Sequence, residues 1–199
     1  MKYWRWTGLV AAAMAAIATA GTDVVPTAAP TAQEVAPGVW MIPGGMRPNR
    51  QPDGNSVIFE TPAGLVVVDT GRHAWHREAI LELAHTRKRD IVAVVNTHWH
   101  LDHVSGNPAL RAAYQELLVY ASDAIDGALS GFLARSAASA AAYLDDPQVA
   151  EEMREDIRGD LATIGNGAAL RPDVVVTASA TMSLGGRALD LSCETGLAA

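Results

Sequence analysis

Four side chains that can bind a metal ion lie within six residues, in the segment His98-Trp99-His100-Leu101-Asp102-His103. The histidines offer neutral imidazole nitrogens and Asp102 offers a carboxylate, and together they form the ligand set that suits zinc. A lone histidine is usually an ordinary core or surface residue, and two histidines could arise by chance. Four such ligands directly after an apolar run are much harder to obtain by accident, so the segment predicts a metal centre.

The residues before this segment explain how it could be positioned. Ile91–Val95 is an apolar run that predicts a buried strand, and the chain turns out of a sheet at a strand's carboxyl end. His98 and His100 can then face one metal ion, and Asp102 and His103 a second. Two ions about 3.5–4 Å apart can share a hydroxide and polarise a carbonyl or phosphoryl oxygen. The spacing therefore predicts hydrolytic chemistry.

The rest of the pattern predicts a layered α/β fold. Before the metal segment we expect two hairpin-joined strands over residues 56–60 and 65–69, and a helix over residues 74–88. After it we expect a short helix from Asn107, a strand over residues 117–120 and a largely helical region over residues 122–170. Two further strands are expected over residues 173–178 and 187–191, with Gly185-Gly186 as the hairpin turn between them.

One helix of that region has a clear start signal. Asp146 can cap it and Pro147 fits the first helical position. Its apolar positions predict a buried stripe, formed by Val149, Met153, Ile157 and Leu161.

The N-terminus predicts export. Lys2 and Arg5 precede an apolar stretch that is too short to span a bilayer, and Ala18-Thr19-Ala20 is a small-residue cleavage site. We therefore assign residues 1–20 to a signal peptide, with an uncleaved anchor as the alternative, residues 21–37 to a flexible leader, and residues 38–199 to the domain. The mature protein is expected to be periplasmic or secreted and not membrane-bound.

Composition narrows the possible partners. The chain has 199 residues, 49% of them apolar, and a net charge of -7, which fits one globular domain. We expect its substrate to be a small molecule. The one basic run, Arg87-Lys88-Arg89, falls at a predicted helix end, so nothing provides the basic surface that nucleic acid requires. Cys193 is the single cysteine, which excludes an internal disulfide.

The metal segment resembles the metallo-β-lactamase-fold hydrolase superfamily, since Thr97 precedes it and Asp69-Thr70-Gly71 lies upstream. The resemblance runs from about residue 38 to residue 191 and implies an α/β (α+β) fold, an αββα sandwich with zinc at one edge of its two sheets. It implies that His98 and His100 bind the first zinc ion, that Asp102 and His103 bind the second, and that Asp69 orders the ligand loop.

The same resemblance implies the chemistry. Two zinc ions per complete site would provide a metal-bound hydroxide that attacks an amide- or ester-type bond, and Asp102 could also orient that nucleophile. Export modestly favours a β-lactam substrate, while a thioester, a lactone, or a phosphate or sulfate ester stays open. Residues 43–55, predicted as a mobile loop, would correspond to a flap whose Met46 or Arg47 touches the substrate, although a solvated loop is an equal reading.

The C-terminal part departs from the resemblance. The family requires a third histidine on the first zinc ion, a bridging aspartate and a last histidine, yet all six histidines lie between His73 and His103. Cys193 could replace a ligand, but it falls too early in the chain. We therefore expect the N-terminal part of the sandwich only, apparently truncated, with residues 192–199 as a frameshift scar. An impaired enzyme, a non-catalytic remnant, and a half-domain needing a separate C-terminal half all stay open.

Three further histidines are predicted to be surface residues. His73 and His76 lie at the start of the helix predicted over residues 74–88, and His85 lies near its end. Their spacing could bind a metal ion, but no carboxylate is arranged with them in the sequence.

Overall fold

Seven strands form one mixed sheet in the computed structural model, which describes residues 29–193. In spatial order they are β1 (Gln33–Ala36), β2 (Val39–Ile42), β3 (Ser56–Glu60), β4 (Leu65–Val68), β5 (Ile91–Val95), β6 (Leu118–Ala121) and β7 (Val174–Val175). Strands β1 to β4 pair antiparallel, and β4 to β7 pair parallel. The predicted signal peptide and residues 21–28 of the predicted leader lie outside the described residues.

The helices alternate with the parallel strands and then form a separate group. They are α1 (Ala74–Arg87), α2 (Leu101–Val104), α3 (Asn107–Ala113), α4 (Ala124–Ser130), α5 (Phe132–Ala141) and α6 (Glu151–Gly165), with 3₁₀ turns at Ala142–Leu144 and Gly167–Leu170. None of the helices within residues 29–193 is both long enough and apolar enough to cross a bilayer.

The two faces of the sheet are covered differently. On one face, Val67 and Val94 pack against Ile80 of α1 and Leu110 of α3. On the other, Val66 and Ala93 pack against Leu184, which belongs to a hairpin of β8 (Ala180–Leu184) and β9 (Arg187–Leu191). Because successive side chains point to opposite faces, β4 and β5 need apolar residues at nearly every position. The predicted α/β (α+β) layering is confirmed, as a helix layer, the large sheet and a small second sheet.

The sheet starts earlier than predicted. Gln33–Ala36 lies within the segment assigned to the flexible leader, yet it pairs with β2 as an edge strand. Its four residues are all exposed, so no apolar pattern marks it in the sequence.

The predicted last hairpin used the wrong first strand. Gly185 (φ 59°) and Gly186 (φ 83°) form the turn as predicted, in the left-handed conformation that two-residue hairpins require. Such a tight turn pairs the residues directly beside it, so the partner of β9 is β8. Residues 173–178 instead contribute the short strand β7 to the large sheet.

Helix α6 begins at Glu151, four residues after the predicted start. The Asp146 carboxylate accepts a hydrogen bond from Gln148 N at 2.8 Å, which closes a turn before the helix and leaves Ala150 at the cap position. Of the predicted buried stripe, Ile157 is buried, while Val149, Met153 and Leu161 are only partly buried.

Candidate metal centre

The predicted ligands lie where β4 and β5 end. These parallel strands place Val68 beside Val95, so the segments that follow them leave the sheet at the same edge. Asp69 N donates a 2.9 Å hydrogen bond to Val95 O across that edge. Asp69 has a φ of 59°, in the left-handed region that aspartate tolerates better than most residues. Strained backbone of this kind often marks functional sites.

The carboxylate of Asp69 holds the ligand segment from two sides. Its Oδ1 accepts a hydrogen bond from Thr97 N at 2.8 Å, and its Oδ2 accepts from Thr97 Oγ1 at 2.7 Å. The same Oδ2 lies 2.8 Å from His103 Nδ1. These are the contacts that the ordering role predicted for Asp69 requires.

Thr97 connects Asp69 to His98 by hydrogen bonds. The Thr97 hydroxyl proton is used on Asp69, so its oxygen accepts a hydrogen bond from His98 Nδ1 at 2.9 Å. The proton on Nδ1 leaves the Nε2 lone pair of His98 available, which is the form of imidazole that binds metal ions. Burial, together with the neighbouring imidazoles of His103 and His100, lowers the pKa of His98 and favours the neutral ring.

His103 lies between two carboxylates. Its Nδ1 contacts Asp69 and its Nε2 lies 3.3 Å from Asp102 Oδ2. Burial opposes a charge on this ring, but Asp102 and Asp69 outweigh that effect and raise the pKa of His103 to about 9. Burial likewise opposes the charge of Asp102, but His103 outweighs it, and the pKa of Asp102 is lowered. The two carboxylates thus favour positive charge at this place.

The structure brings the predicted ligands together in pairs. The His98 ring centroid lies 4.5 Å from that of His100 and 4.0 Å from that of His103. Yet within residues 29–193 no three His, Cys, Asp or Glu side chains are arranged to hold one metal ion. A catalytic zinc ion takes about three protein ligands. The residue types suit zinc, but the described residues do not complete a zinc site.

Cys193 does not complete a site either. It is partly buried, and its backbone N–H donates to Ser179 Oγ at 2.9 Å. It lines a groove that also contains Thr97, but it forms no metal-binding group with the histidines within the described residues.

Three polar residues for which the sequence predicted no role at the site support the ligand segment. The backbone oxygen of His103 accepts hydrogen bonds from Thr70 N at 2.8 Å and from Asn96 Nδ2 at 3.0 Å. Asn107 is fully buried and joins Asn96 and Thr70 through its side-chain amide. In the sequence, the polar Asn96 at the end of an apolar run was the one signal that could have indicated this hydrogen-bond network.

The loop over residues 43–55 touches the ligand segment at Gly54. Gly54 N donates to Asp102 O at 3.2 Å, and a Cβ there would lie 2.6 Å from that oxygen. The loop is also tied at its base, because Gly45 and Asp53 exchange backbone hydrogen bonds of 3.0 and 2.9 Å. The segment predicted as a mobile flap is thus anchored against the candidate metal centre.

Met46 and Arg47 lie at the far side of this loop. The Met46 side chain is exposed, and the Arg47 guanidinium lies 4.3 Å from the ring centroid of Trp75. Both line a cavity of about 360 Å³ beside α1 that includes His73 and His76 but none of the four predicted ligands.

The prediction for His73 and His76 was wrong, since both are buried. His73 Nδ1 lies 2.8 Å from Asp53 Oδ2, and its Nε2 lies 3.2 Å from Asp156 Oδ2. His76 Nε2 lies 2.8 Å from Ser56 Oγ, which donates to Asp69 O. Their carboxylate partners lie in distant segments of the chain, so the spacing of residues in the sequence could not predict these contacts. His85 is exposed, as predicted.

Sequence comparison identifies relatives of two kinds. The chain is 35% identical over 91 residues to the atrochrysone carboxyl ACP thioesterase of Aspergillus fumigatus, covering 44% of this chain and 29% of that protein. It is 33% identical over 73 residues to the linear primary-alkylsulfatase of a Pseudomonas species, covering 34% of this chain and 14% of that protein. The chain thus spans less than a third of the length of either curated relative.

The fold has a similar counterpart among solved structures. The metallo-beta-lactamase from Pontibacter korlensis aligns with a TM-score of 0.50 and 21% identity, over 81% of this chain and 59% of that one. A sequence profile described as the metallo-beta-lactamase superfamily matches residues 50–177, which include Asp69 and all four predicted ligands. This chain therefore belongs to the metallo-β-lactamase superfamily, whose members are hydrolases.

Proposed function

We propose that this chain carries part of the active site of an exported, zinc-dependent hydrolase that cleaves an ester- or amide-type bond. One observation carries the proposal: the carboxylate of Asp69 orients His98 through Thr97 and orients His103 directly. Metal-binding histidines typically have such carboxylate partners behind them. His98 and His100 would hold one zinc ion, and Asp102 and His103 a second.

The bound zinc would act as a Lewis acid and lower the pKa of water to about 7. The residues of this chain supply orientation. Asp69 fixes both imidazole rings, while Gly54 and Thr70 hold the backbone oxygens of Asp102 and His103. Asp102 lies at the centre of this arrangement, where its carboxylate would orient a nucleophile toward a bound small-molecule substrate.

The bond cleaved is proposed from the relatives' names. One curated relative is named a thioesterase and the other an alkylsulfatase, so an ester-type substrate, thioester or sulfate ester, comes first. A β-lactam amide, a lactone and a phosphate ester are the further candidates.

Hydrolysis tests the proposal directly. The full-length chain is purified metal-free, supplied with Zn²⁺, and assayed with a chromogenic thioester, an aryl sulfate and a chromogenic β-lactam. We expect turnover that requires Zn²⁺ and is abolished by His98→Ala, with the exposed His85→Ala as the matched control. Turnover that His98→Ala leaves unchanged would contradict the proposal.

A second candidate is a half-domain that functions with a separate C-terminal half. The observation in its favour is a groove of about 440 Å³ on the face covered by β8 and β9, lined by Val68, Val95, Tyr120 and Leu189. A two-stranded sheet is only marginally stable alone, and its open edges accept further strands. Two tightly bound zinc ions together with turnover by this chain alone would rule this candidate out.

Export has its own test. Expression of the whole chain in a bacterial host followed by N-terminal sequencing of the periplasmic fraction should give a protein that starts at Gly21. A full-length protein retained in the cytoplasm would contradict export.

A further inference from the structure

A groove of about 360 Å³ lies between helices α5 and α6. One wall is the apolar stripe of Val149, Met153 and Ile157, which the sequence predicted to be buried. The opposite wall is a face of α5 that carries the small residues Ser139 and Ala140. Opposite these small side chains Ile157 is buried, while Val149 and Met153 are only partly covered.

The lining of the groove is uncharged and combines apolar side chains with the hydroxyl-bearing residues Ser136, Ser139 and Tyr143. Among the described residues, no charged side chain lines it. Gln51 contributes its amide at one side, where Nε2 contacts Met153 Sδ at 3.6 Å, and that contact occupies the amide within the groove wall. Its volume falls at the lower end of small-ligand sites, which span about 300–1,000 Å³.

The groove is also elongated. Ser136 and Tyr143 line it along one face of α5 and the 3₁₀ turn that follows, and at about 1.5 Å of rise per residue they lie roughly 10 Å apart along the axis. A narrow apolar groove of this length fits a linear hydrocarbon chain better than a compact polar ring system.

One end of α5 contacts the segment that carries the predicted ligands. Phe132 lies one helical turn before Ser136 on the same face of α5, and its side chain is 55% exposed. Its ring centroid lies 5.5 Å from that of Trp99, which in turn lies edge-on 4.5 Å from His100. Ring contacts therefore connect His100 through Trp99 to Phe132, which lies one turn from the end of the groove at Ser136.

The loop over residues 43–55 supplies a second connection. Gln51 lines the groove, and Gly54, three residues later, donates its N–H to Asp102 O. The groove thus borders one segment that contacts Asp102 and a helix that contacts Trp99, the neighbour of His98 and His100.

We propose that this groove binds the linear acyl or alkyl chain of the substrate, with the ester group at the metal centre and Trp99 and Phe132 against the carbons nearest to it. The substrate class is then an ester with a long unbranched apolar chain. The inference of an ester rests on the proposed function, whereas binding of the chain rests on the groove itself.

Linear alkanoates from butanoate to decanoate test the groove, titrated calorimetrically into the full chain in EDTA. Each methylene buried from water is worth about 0.8 kcal/mol, so affinity should rise about fourfold per added methylene until the groove is filled. Ala140→Phe fills the groove and should abolish this chain-length dependence. Ser139→Leu, at an exposed position on the same wall, is a milder block with the same expected result.

Ala138→Phe is the matched control, since it places the same side chain on an exposed face of α5 that does not line the groove. It should bind alkanoates as the unchanged protein does. Affinity that does not depend on chain length, or that survives both groove-filling variants, would overturn the proposal. A dimer that Ala140→Phe converts to a monomer would also overturn it, by assigning the groove to a second copy.

This titration separates the two proposals. It uses no zinc and measures no turnover, so alkanoate binding can succeed while hydrolysis fails. Conversely, zinc-dependent turnover with no preference for long chains would leave the proposed function intact and reject the groove as the substrate site.

Discussion

Two groups of histidines lie on either side of the loop over residues 43–55, and they differ in nearly every respect. His98, His100 and His103 are partly or fully exposed and lie close to one another, and Asp69 holds His103 directly and His98 through Thr97. His73 and His76 are buried under the loop and are held by residues from distant segments. In the first group the Nε2 lone pair of His98 is available, whereas in the second group both ring nitrogens of His73 and Nε2 of His76 are engaged in internal contacts.

The difference teaches that residue type alone does not separate a reactive histidine from a structural one. His73 is held between Asp53 and Asp156, which joins the loop to α1 and α6. Asp156 also binds Arg50 at 2.8 Å and Gln51 N at 2.7 Å. The buried group thus fixes the loop that carries Gly54 against Asp102, and we infer that it supports the exposed group from behind.

His73→Ala should have the largest effect on stability. The substitution leaves the buried carboxylates of Asp53 and Asp156 without their shared hydrogen-bond partner, and a buried polar group left unpaired costs about 1–3 kcal/mol, more when that group is charged. Chemical denaturation measures the free energy of unfolding. His85→Ala, at an exposed position of the same helix, should change that free energy by less than about 0.5 kcal/mol. Equal changes in the free energy of unfolding would contradict a structural role for His73.

Gly54→Ala tests the contact between the loop and the ligand segment. The added Cβ would lie 2.6 Å from Asp102 O and 2.9 Å from His103 Cε1, so the loop must move, at a cost of about 1–3 kcal/mol. Gly159→Ala is the control, because a Cβ at this helical position meets nothing within 4 Å. The control should be neutral or stabilising by about 0.5–1 kcal/mol. An unchanged free energy of unfolding in Gly54→Ala would show that the loop does not pack closely against Asp102 and His103.

Thr97→Val tests the transfer of order from Asp69 to His98. Valine keeps the shape of threonine but cannot accept the hydrogen bond from His98 Nδ1, so zinc affinity should fall about tenfold, at the lower end of the 10–100-fold range seen for such partners. Competition with a chromogenic chelator measures it. The exposed Thr86→Val on α1 should leave zinc affinity unchanged. Unaltered zinc affinity of the Thr97→Val protein would contradict a role of Thr97 in orienting His98.

Acid should weaken the fold through His76. Burial lowers the pKa of His76 from 6.5, and the nearby Asp53 only partly offsets this. The unfolded chain therefore takes up a proton near pH 6.5 while the folded chain resists it. This contribution to stability is present above pH 6.5 and is lost as pH falls toward the folded pKa. Melting temperatures of the protein and of His76→Gln between pH 7 and pH 5 should converge on acidification, and parallel curves would contradict this.

Local patterns predicted several of the elements and the ligand segment. The apolar run of β5, the turn at Gly185-Gly186 and the amphipathic α1 are each decided by neighbouring residues, and the structure has them where the sequence indicated. Asp69 was predicted to order the ligand loop, and the structure gives it the contacts that this role needs.

What the sequence did not predict depends on long-range contacts. His73 is buried because Asp156 lies 83 residues away in the chain but next to it in space. The predicted stripe is only partly covered, and α5 presents Ser139 and Ala140 opposite it. The start of α6 was misplaced because Asp146 closes its own turn instead of capping the helix. Each outcome was decided by a partner that spacing alone does not reveal.

The central claim is that the segment from His98 to His103 binds zinc while the buried histidines do not. Equilibrium titration of the metal-free chain with Zn²⁺, in competition with a chelator, tests it most directly. We predict zinc binding that is lost in His98→Ala and Asp102→Ala and kept in His76→Gln. Absence of zinc binding, or binding that survives both substitutions in the ligand segment, would contradict the account.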